Sequence, residues 1–460
     1  MKNFKRAFIA AAAALLLAFS LTGCKDGFFG GRGSSHKLKF LHIWPEHGVA
    51  MSALVNDFML ENPGIEVEII ESNYQDVDNT LRNLVGTSDM PDVFFQWTHY
   101  MYKWVPDAVP LDISDIALEL SRDFVADGTP IEFGNVGSKY YNIPFRITGY
   151  AVIYNKTLFD SNADLSVPET LEELEALLPV LQSKSVTPLA CYGDKTGTMM
   201  QFNTAFNVFC AIMNGTVEDP AYRTSRLEPD GSDDGAYAIL KTKKWKNQNY
   251  FGNYSSREAV QQAFMSGRAG MALLNNNEIN QLKEGMAGNA EIGIFAIPAP
   301  AQIAGGVRYV YGGFDGFSIS RTSNKIEAAK KLIRYLASKE AQQKFGNSES
   351  SCMVNKNVEY GDPDMEKIAA QMSFVGKYDV SADFNAGEAG DKTAQALVNF
   401  LNGGDSSLTG AVSLMNGNVA EIGKALADRL LNPPSGLSWI PRTVTPQPFN
   451  RDWLTVGLGG

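Results

Sequence analysis

The sequence predicts an α/β protein with parallel strands, and three observations carry that expectation. Apolar and polar residues alternate in Lys37-Leu-Lys-Phe-Leu-His-Ile43 and again around Ile65, Val67 and Ile69, the period of strands with one buried face. Between them Met51, Leu54, Val55, Phe58 and Met59 recur at helical spacing, and Pro63-Gly64 stops that helix. A helical stretch over 76–85 then leads to Pro91-Asp-Val-Phe-Phe95, a short buried strand. Strand, helix, strand, helix, strand is the order of βαβ units, whose crossovers make neighbouring strands parallel.

The same grammar continues. Ser166-Val-Pro-Glu169 opens a helix with Leu171, Leu174, Leu177 and Leu181 on one face. Ser255-Ser-Arg-Glu258 has the form of a capping box, in which side chains satisfy the free N–H groups of a helix start. That helix ends near Gly267, and residues 268–274 follow as a strand. Residues 323–345 are expected as one long amphipathic helix carrying Ile326, Ala329, Leu332, Ile333 and Leu336. Trp104 reads as packing. Trp245, inside Lys243-Lys-Trp-Lys246, reads as part of a solvated basic stretch. Residues 433–460 form a non-periodic, proline-rich extension expected to pack on the body through Trp439 and Trp453.

The chain has 460 residues, room for about three domains at roughly 150 residues each. Its 44% hydrophobic and 20% charged residues exclude a disordered chain, a coiled coil and a collagen-like repeat. A net charge of −11 argues against nucleic acid as a partner, since that needs a basic face to displace counterions. Lys2, Lys5 and Arg6 precede an apolar run over 7–20, too short for about 30 Å of hydrocarbon but suited to a signal segment. The run ends in Leu21-Thr-Gly-Cys24, small residues before a cysteine that resemble a bacterial lipobox. Residues 1–23 are therefore expected to be removed and Cys24 lipidated. The Gly/Ser-rich residues 24–36 would tether the body to the membrane, where two acyl chains give a stable anchor. Cys191, Cys210 and Cys352 then remain, an odd set with no CxxC spacing. Buried free thiols are expected, with a disulfide between two of them left open.

Catalytic motifs are missing. The four histidines, His36, His42, His47 and His99, have no metal-ligand spacing, and there is no HExxH, GxSxG, Walker A or GxGxxG. No metal and no cofactor is expected.

Three further blocks occur in order. They are Gly137-Ser-Lys-Tyr-Tyr-Asn-Ile-Pro-Phe-Arg-Ile-Thr-Gly-Tyr-Ala-Val-Ile-Tyr-Asn-Lys-Thr-Leu-Phe159, then Ala263-Phe-Met-Ser-Gly-Arg-Ala-Gly-Met271, then Tyr311-Gly-Gly-Phe-Asp-Gly-Phe-Ser-Ile-Ser320 with Ala337-Ser-Lys-Glu-Ala-Gln342 behind it. With the lipobox, this ordered set resembles the family 1 extracellular solute-binding proteins, which serve ABC importers of sugars. Leu274-Asn-Asn-Asn-Glu-Ile279 stands where the family often has an aromatic residue, and Met353-Val-Asn where it usually has proline.

The resemblance implies a two-lobed, type II periplasmic-binding-protein fold with three crossings, near Arg146–Tyr150, Ile292–Ala299 and Ala337–Glu340, and a ligand cleft between the lobes. Residues 37–146 with 297–338 would form the N-terminal lobe, and 150–292 with 342–432 the C-terminal lobe. It also implies a monomeric receptor that captures a carbohydrate, an oligosaccharide by expectation, by hinge closure and hands it to ABC permease subunits. Flat rings suit the apolar faces of sugars, while amides, carboxylates and guanidinium forks suit their hydroxyls. The candidates are Trp44 and Glu46 after the first strand, and Trp97, Thr98 and Tyr100 after the Phe94-Phe95 strand. Arg146 and Tyr150 flank the first crossing, and Asn276, Asn277 and Glu278 follow the Met271 strand. Gly313, Phe314 and Asp315 lie in the last block. Two other readings stay open: the same fold with a peptide, polyamine or polyol phosphate, and a surface carbohydrate-active enzyme with two carboxylates about 5 to 9 Å apart.

Overall fold

The computed structural model describes residues 36–73, 76–98, 101–105, 107–124, 135–136, 139–193, 234–286, 290–301 and 308–372, together with 198–199, 202, 205–206, 209, 395 and 398–403. The leader, Cys24, Tyr100, Cys210 and the extension over 433–460 lie outside the described residues.

Strand β1 (His36–His42) and helix α1 (Gly48–Glu61) form where the spacing predicts them, and α1 buries Met51, Leu54, Val55 and Phe58 on one stripe. Strand β2 (Ile65–Glu71), helix α2 (Val77–Leu84) and strand β3 (Val93–Trp97) complete the βαβαβ run. Phe40, Phe58, Phe94 and Phe95 are fully buried, each contributing about 1.5–3 kcal/mol of apolar transfer. Helices α3 (Met101–Trp104) and α4 (Ser114–Leu120) and a small pair, β4 (Asn135–Val136) with β5 (Lys139–Tyr140), lead into the long strand β6 (Ile143–Asn155).

After β6 come α5 (Lys156–Asp160), α6 (Leu171–Ser183), β7 (Thr187–Ala190), α7 (Asp234–Asn247), α8 (Arg257–Met265) and β8 (Ala269–Asn275). Thr170 caps α6 by accepting from the Glu173 N–H, and Ser256 caps α8 by accepting from the Ala259 N–H. Then follow α9 (Ile279–Met286), β9 (Ile292–Phe295), β10 (Ile297–Pro298), β11 (Arg308–Tyr309), β12 (Tyr311–Ile319), α10 (Ile326–Ala337), α11 (Lys339–Glu349) and α12 (Pro363–Met372).

Eight strands form one sheet in the order β2-β1-β3-β12-β6-β8-β7, with β9 also on β6, while β4 with β5 and β10 with β11 form separate pairs. β1 and β3 are parallel, as are β7 and β8, whereas β12 runs antiparallel to both β3 and β6. Strand β6 serves both halves of the sheet. Its first part, Ile143–Tyr150, pairs with β12, and its last part pairs with β8 and β9. One core gathers Phe40, Phe58, Phe95 and Phe317 and continues under β8 through Val260 and Phe264. The second holds Leu174, Leu178, Phe202, Phe206 and Trp245.

Two expectations are corrected. The helix expected over 323–345 is two, α10 and α11, because Ser338 turns its backbone to φ −66° and ψ 156° and caps α11 by accepting from the Ala341 N–H at 3.2 Å. Helix α11 packs into the first core, with Phe345 6.3 Å from the Trp44 ring. Ile297 and Ala299 are buried in the second core. Trp245 is not solvated. It is fully buried and donates from Nε1 to Glu175 at 3.1 Å, while Lys241 pairs with the same carboxylate at 2.6 Å and Lys243 donates to the Phe400 carbonyl at 3.1 Å. Cys191 and Cys352 are buried free thiols, each pushed up to about 12 by burial and so protonated.

His42 ends β1 with its ring fully buried. Its Nδ1 accepts from the Trp44 N–H at 3.2 Å, and its Nε2 lies 3.8 Å from Glu71 with no hydrogen bond. Burial, helped by the nearby His47, lowers it from 6.5 to about 4. The neutral ring is therefore the native form. Between pH 6.5 and 4 the unfolded chain takes up a proton that the folded chain refuses, so stability held above pH 6.5 is lost as pH falls. The loss attributable to His42 is about 3 kcal/mol. Urea unfolding of wild type and His42→Gln at pH 7 and pH 4.5 checks this; parallel pH profiles for the two would show that His42 is not responsible.

Candidate functional site

Strand ends converge at the middle of β6. β3 runs in register with β12 and β12 with β6, so that Trp97, Asp315 and Arg146 stand in one row across three strands. Directly opposed residues share a face of the sheet. Asp315 sits at a β-bulge: the β12–β6 register shifts between Asp315 and Gly316. A side chain at Gly316 would overlap the Asn142 amide, so glycine is needed where the bulge re-aims its neighbour.

The Arg146 guanidinium is the centre of this group. Its Nε donates to Asp315 Oδ2 at 2.7 Å, and its plane lies 4.2 Å from the centroid of the Trp44 ring. Both partners of the ion pair are buried, Arg146 4% and Asp315 2% exposed. Thr148 Oγ1 also donates to Asp315, at 3.4 Å. Trp44 is stacked on Phe145 at 5.9 Å and meets Phe95 and Phe317 edge-on. Several polar atoms here are buried without a hydrogen-bond partner: Arg146 Nη1, Trp44 Nε1 and Thr98 Oγ1. Unmade bonds in a buried place are costly, and they gather where a polar ligand could satisfy them.

A second polar group lies beyond the crossing, at the carboxyl ends of β7 and β8. Glu278 is 8% exposed; its Oε2 accepts from Gln261 Nε2 at 2.7 Å, and its Oε1 has no partner. Burial pushes its carboxyl up, against the opposing pull of the Gln261 bond and the Arg257 charge. Arg257 opens α8 within electrostatic reach of Glu278, Glu258, Tyr150 and Tyr192. Burial disfavours its charge, but these groups outweigh it and hold Arg257 above its ordinary range.

The other sequence candidates are placed as follows. Trp97 is half-buried with its edge against Phe95, and Tyr150 is half-buried in register with Asn275. Gly313 lies opposite Thr148, and Phe314, opposite Ile147, is packed in the first core. Glu46 is exposed, 3.9 Å from His47, and Asn277 is exposed with its N–H donated to Asn275. Asn276 is buried with both amide atoms on the β6 backbone. Tyr100 lies outside the described residues. Arg257, Tyr192 and Gln261 were missed. The capping box Ser255-Ser-Arg-Glu258 was the available signal for Arg257, since it sets that residue on a helix's first turn. A cavity of about 340 Å³ lies elsewhere, at the opposite ends of β1 and β12, and its Lys39 and Lys325 are paired with Asp89 and Asp92.

A strand shared by two sets of α/β elements, each with a buried polar group beside it, defines the two-lobed type II class of binding-protein fold. The apo structure of RafE from Streptococcus pneumoniae has this fold at a TM-score of 0.67 and 22% identity, covering 86% of this chain and 100% of that one. The sugar-binding protein MalE of Xanthomonas citri gives 0.68 and 18%, covering 85% and 98%. The chain belongs to the bacterial extracellular solute-binding protein family, which it matches over residues 44–343. Among curated relatives, a multiple sugar-binding protein of Streptococcus mutans is 22% identical over 371 residues, 74% of this chain and 80% of that one.

Proposed function

We propose that the protein is the extracytoplasmic receptor of an ABC importer, capturing a saccharide between its lobes without chemical turnover. The observation that carries this is a pair of buried polar groups, Arg146 with Asp315 and Trp44 on one stretch of β6 and Glu278 with Arg257 at the end of β8, each holding an unmade hydrogen bond. A ring stacked on a guanidinium and buried carboxylates suit a ligand that is apolar on its face and hydroxylated at its edge. The names of similar proteins support the class: a multiple sugar-binding protein, and RafE solved in complex with raffinose.

Trp44, Trp97, Thr98, Arg146, Tyr150, Glu278, Gly313, Phe314 and Asp315 are the ligand-facing set, with Arg257 added. The lobes divide at the shared strand. Residues 37–146 with 311–355 make the first, and the second takes 150–301 and resumes toward α12. A ligand touching both lobes stabilises the closed form only through its differential affinity for that form. The leader over 1–23, the anchor at Cys24 and delivery to permease subunits complete this reading.

Isothermal titration of the purified protein with raffinose, maltose and chitin oligosaccharides tests it. Micromolar or tighter binding to at least one saccharide, with the sugar recovered unaltered, is expected. Release of a cleaved product would turn the reading toward an enzyme, and silence across saccharides with binding of a peptide or polyamine would turn it toward another solute.

A further inference from the structure

One edge of β6 changes partner within three residues. Up to Ile147 the edge is held by residues 352–354: the Ile147 N–H donates to the Cys352 carbonyl at 2.7 Å, Arg146 bridges Met353, and the Val354 N–H donates to the Phe145 carbonyl at 3.4 Å. From Tyr150 onward it is held by β8, starting with Tyr150 opposite Asn275. Between these the Gly149 N–H and the Ile147 carbonyl face no strand, and buried backbone groups need partners.

Asn276 supplies both. Its Oδ1 accepts from the Gly149 N–H at 3.0 Å, and its Nδ2 donates to the Ile147 carbonyl at 3.1 Å. A planar amide carries an acceptor beside a donor, the pattern of the peptide group it replaces. Asn276 is 3% exposed and stands in the turn that follows β8, which Asn275 caps by accepting from the Asn277 N–H. The Cys352 thiol lies beside the same side chain, so the clasp touches both edge partners of β6. On the opposite edge Gly312 lies so close that a side chain there would overlap the Thr148 carbonyl and the Gly149 Cα.

We propose that Asn276 is the positioning residue of lobe closure. It fastens the end of β8 to a stretch of β6 whose other edge is paired with β12, so residues 147–149 are held to both lobes at once. Rotation is then confined to this stretch, beside Arg146 and its ion pair with Asp315. The proposal deepens the hinge-closure reading, but its test needs no ligand.

The experiment compares wild type, Asn276→Ala and Asn276→Asp as full chains. Amide exchange at Gly149 is read together with the distance distribution between nitroxides at Leu60 on α1 and Ala176 on α6, both exposed. Asn276→Ala should speed Gly149 exchange about tenfold and broaden the distance distribution. Asn276→Asp keeps the acceptor for Gly149 and should restore most of its protection while narrowing the distribution toward wild type. If Asn276→Ala does not fold, Asn276→Asp against wild type carries the test: a distribution broader than wild type with Gly149 protected supports the clasp, because the Ile147 bond is lost. Faster exchange with an unaltered distribution would make Asn276 a structural bond only and overturn the proposal, as would unaltered exchange in Asn276→Ala. Failure to bind any saccharide would leave these results standing.

Discussion

Replacing Asp315 by alanine is expected to cost about 3–5 kcal/mol of folding stability, among the largest single effects in the molecule. The reason is the charge left behind. Arg146 is 4% exposed, its Nη1 already lacks a partner, and Nε would lose the 2.7 Å bond to Asp315. A buried cation without a counter-charge is worse than no ion pair at all. The double variant Arg146→Met with Asp315→Leu should therefore recover most of the loss while abolishing capture of ligand. Urea unfolding at pH 7 decides between these outcomes. If Asp315→Ala stays within about 1 kcal/mol of wild type, water or a rearranged carboxylate reaches the guanidinium and the site is wetter than described.

Trp44→Ala should be nearly as damaging, about 3–5 kcal/mol, because it empties a space enclosed by Phe95, Phe145, Phe317 and Phe345. Stability alone does not separate a packing role from a binding role, but Trp44→Phe does. A phenyl ring keeps the apolar contacts and part of the attraction to Arg146, and it removes the indole N–H that has no partner. If that N–H is held for ligand, Trp44→Phe restores most of the stability yet weakens saccharide binding about tenfold, the worth of one hydrogen bond. Equal recovery of both properties would reduce Trp44 to a core residue. The paired measurements are urea unfolding and titration with the saccharide that binds best.

Much of this was readable in the chain, and what was not has physical causes. The first βαβαβ run follows from spacing alone, and so does the position of Trp44 at a strand's carboxyl end. Its neighbours are another matter: Phe145, Phe317 and Phe345 come from remote segments, and only the folded sheet brings them around it. The Asn275-Asn-Asn run announces polarity without saying what it serves. One amide caps a turn, the next pairs with backbone, and the third is exposed. Trp245 misleads because lysines flank it, yet Lys241 and Lys243 find partners in Glu175 and the Phe400 carbonyl around the buried ring. The apolar stripe of 323–345 continues past Ser338, so periodicity cannot see the break that its hydroxyl makes by capping α11. Arg257 escaped notice because its partners, Glu278 and two tyrosines, lie on other strands' ends.

Strand β6, thirteen residues long, borrows its stability from both sides of the molecule. Neither half can then be excised as a self-sufficient fragment: each would surrender the ribbon that completes it and be left with a bare, greasy margin open to stray chains. Heat or denaturant should likewise find no seam along which to peel one half away first, so the two are bound to melt in concert.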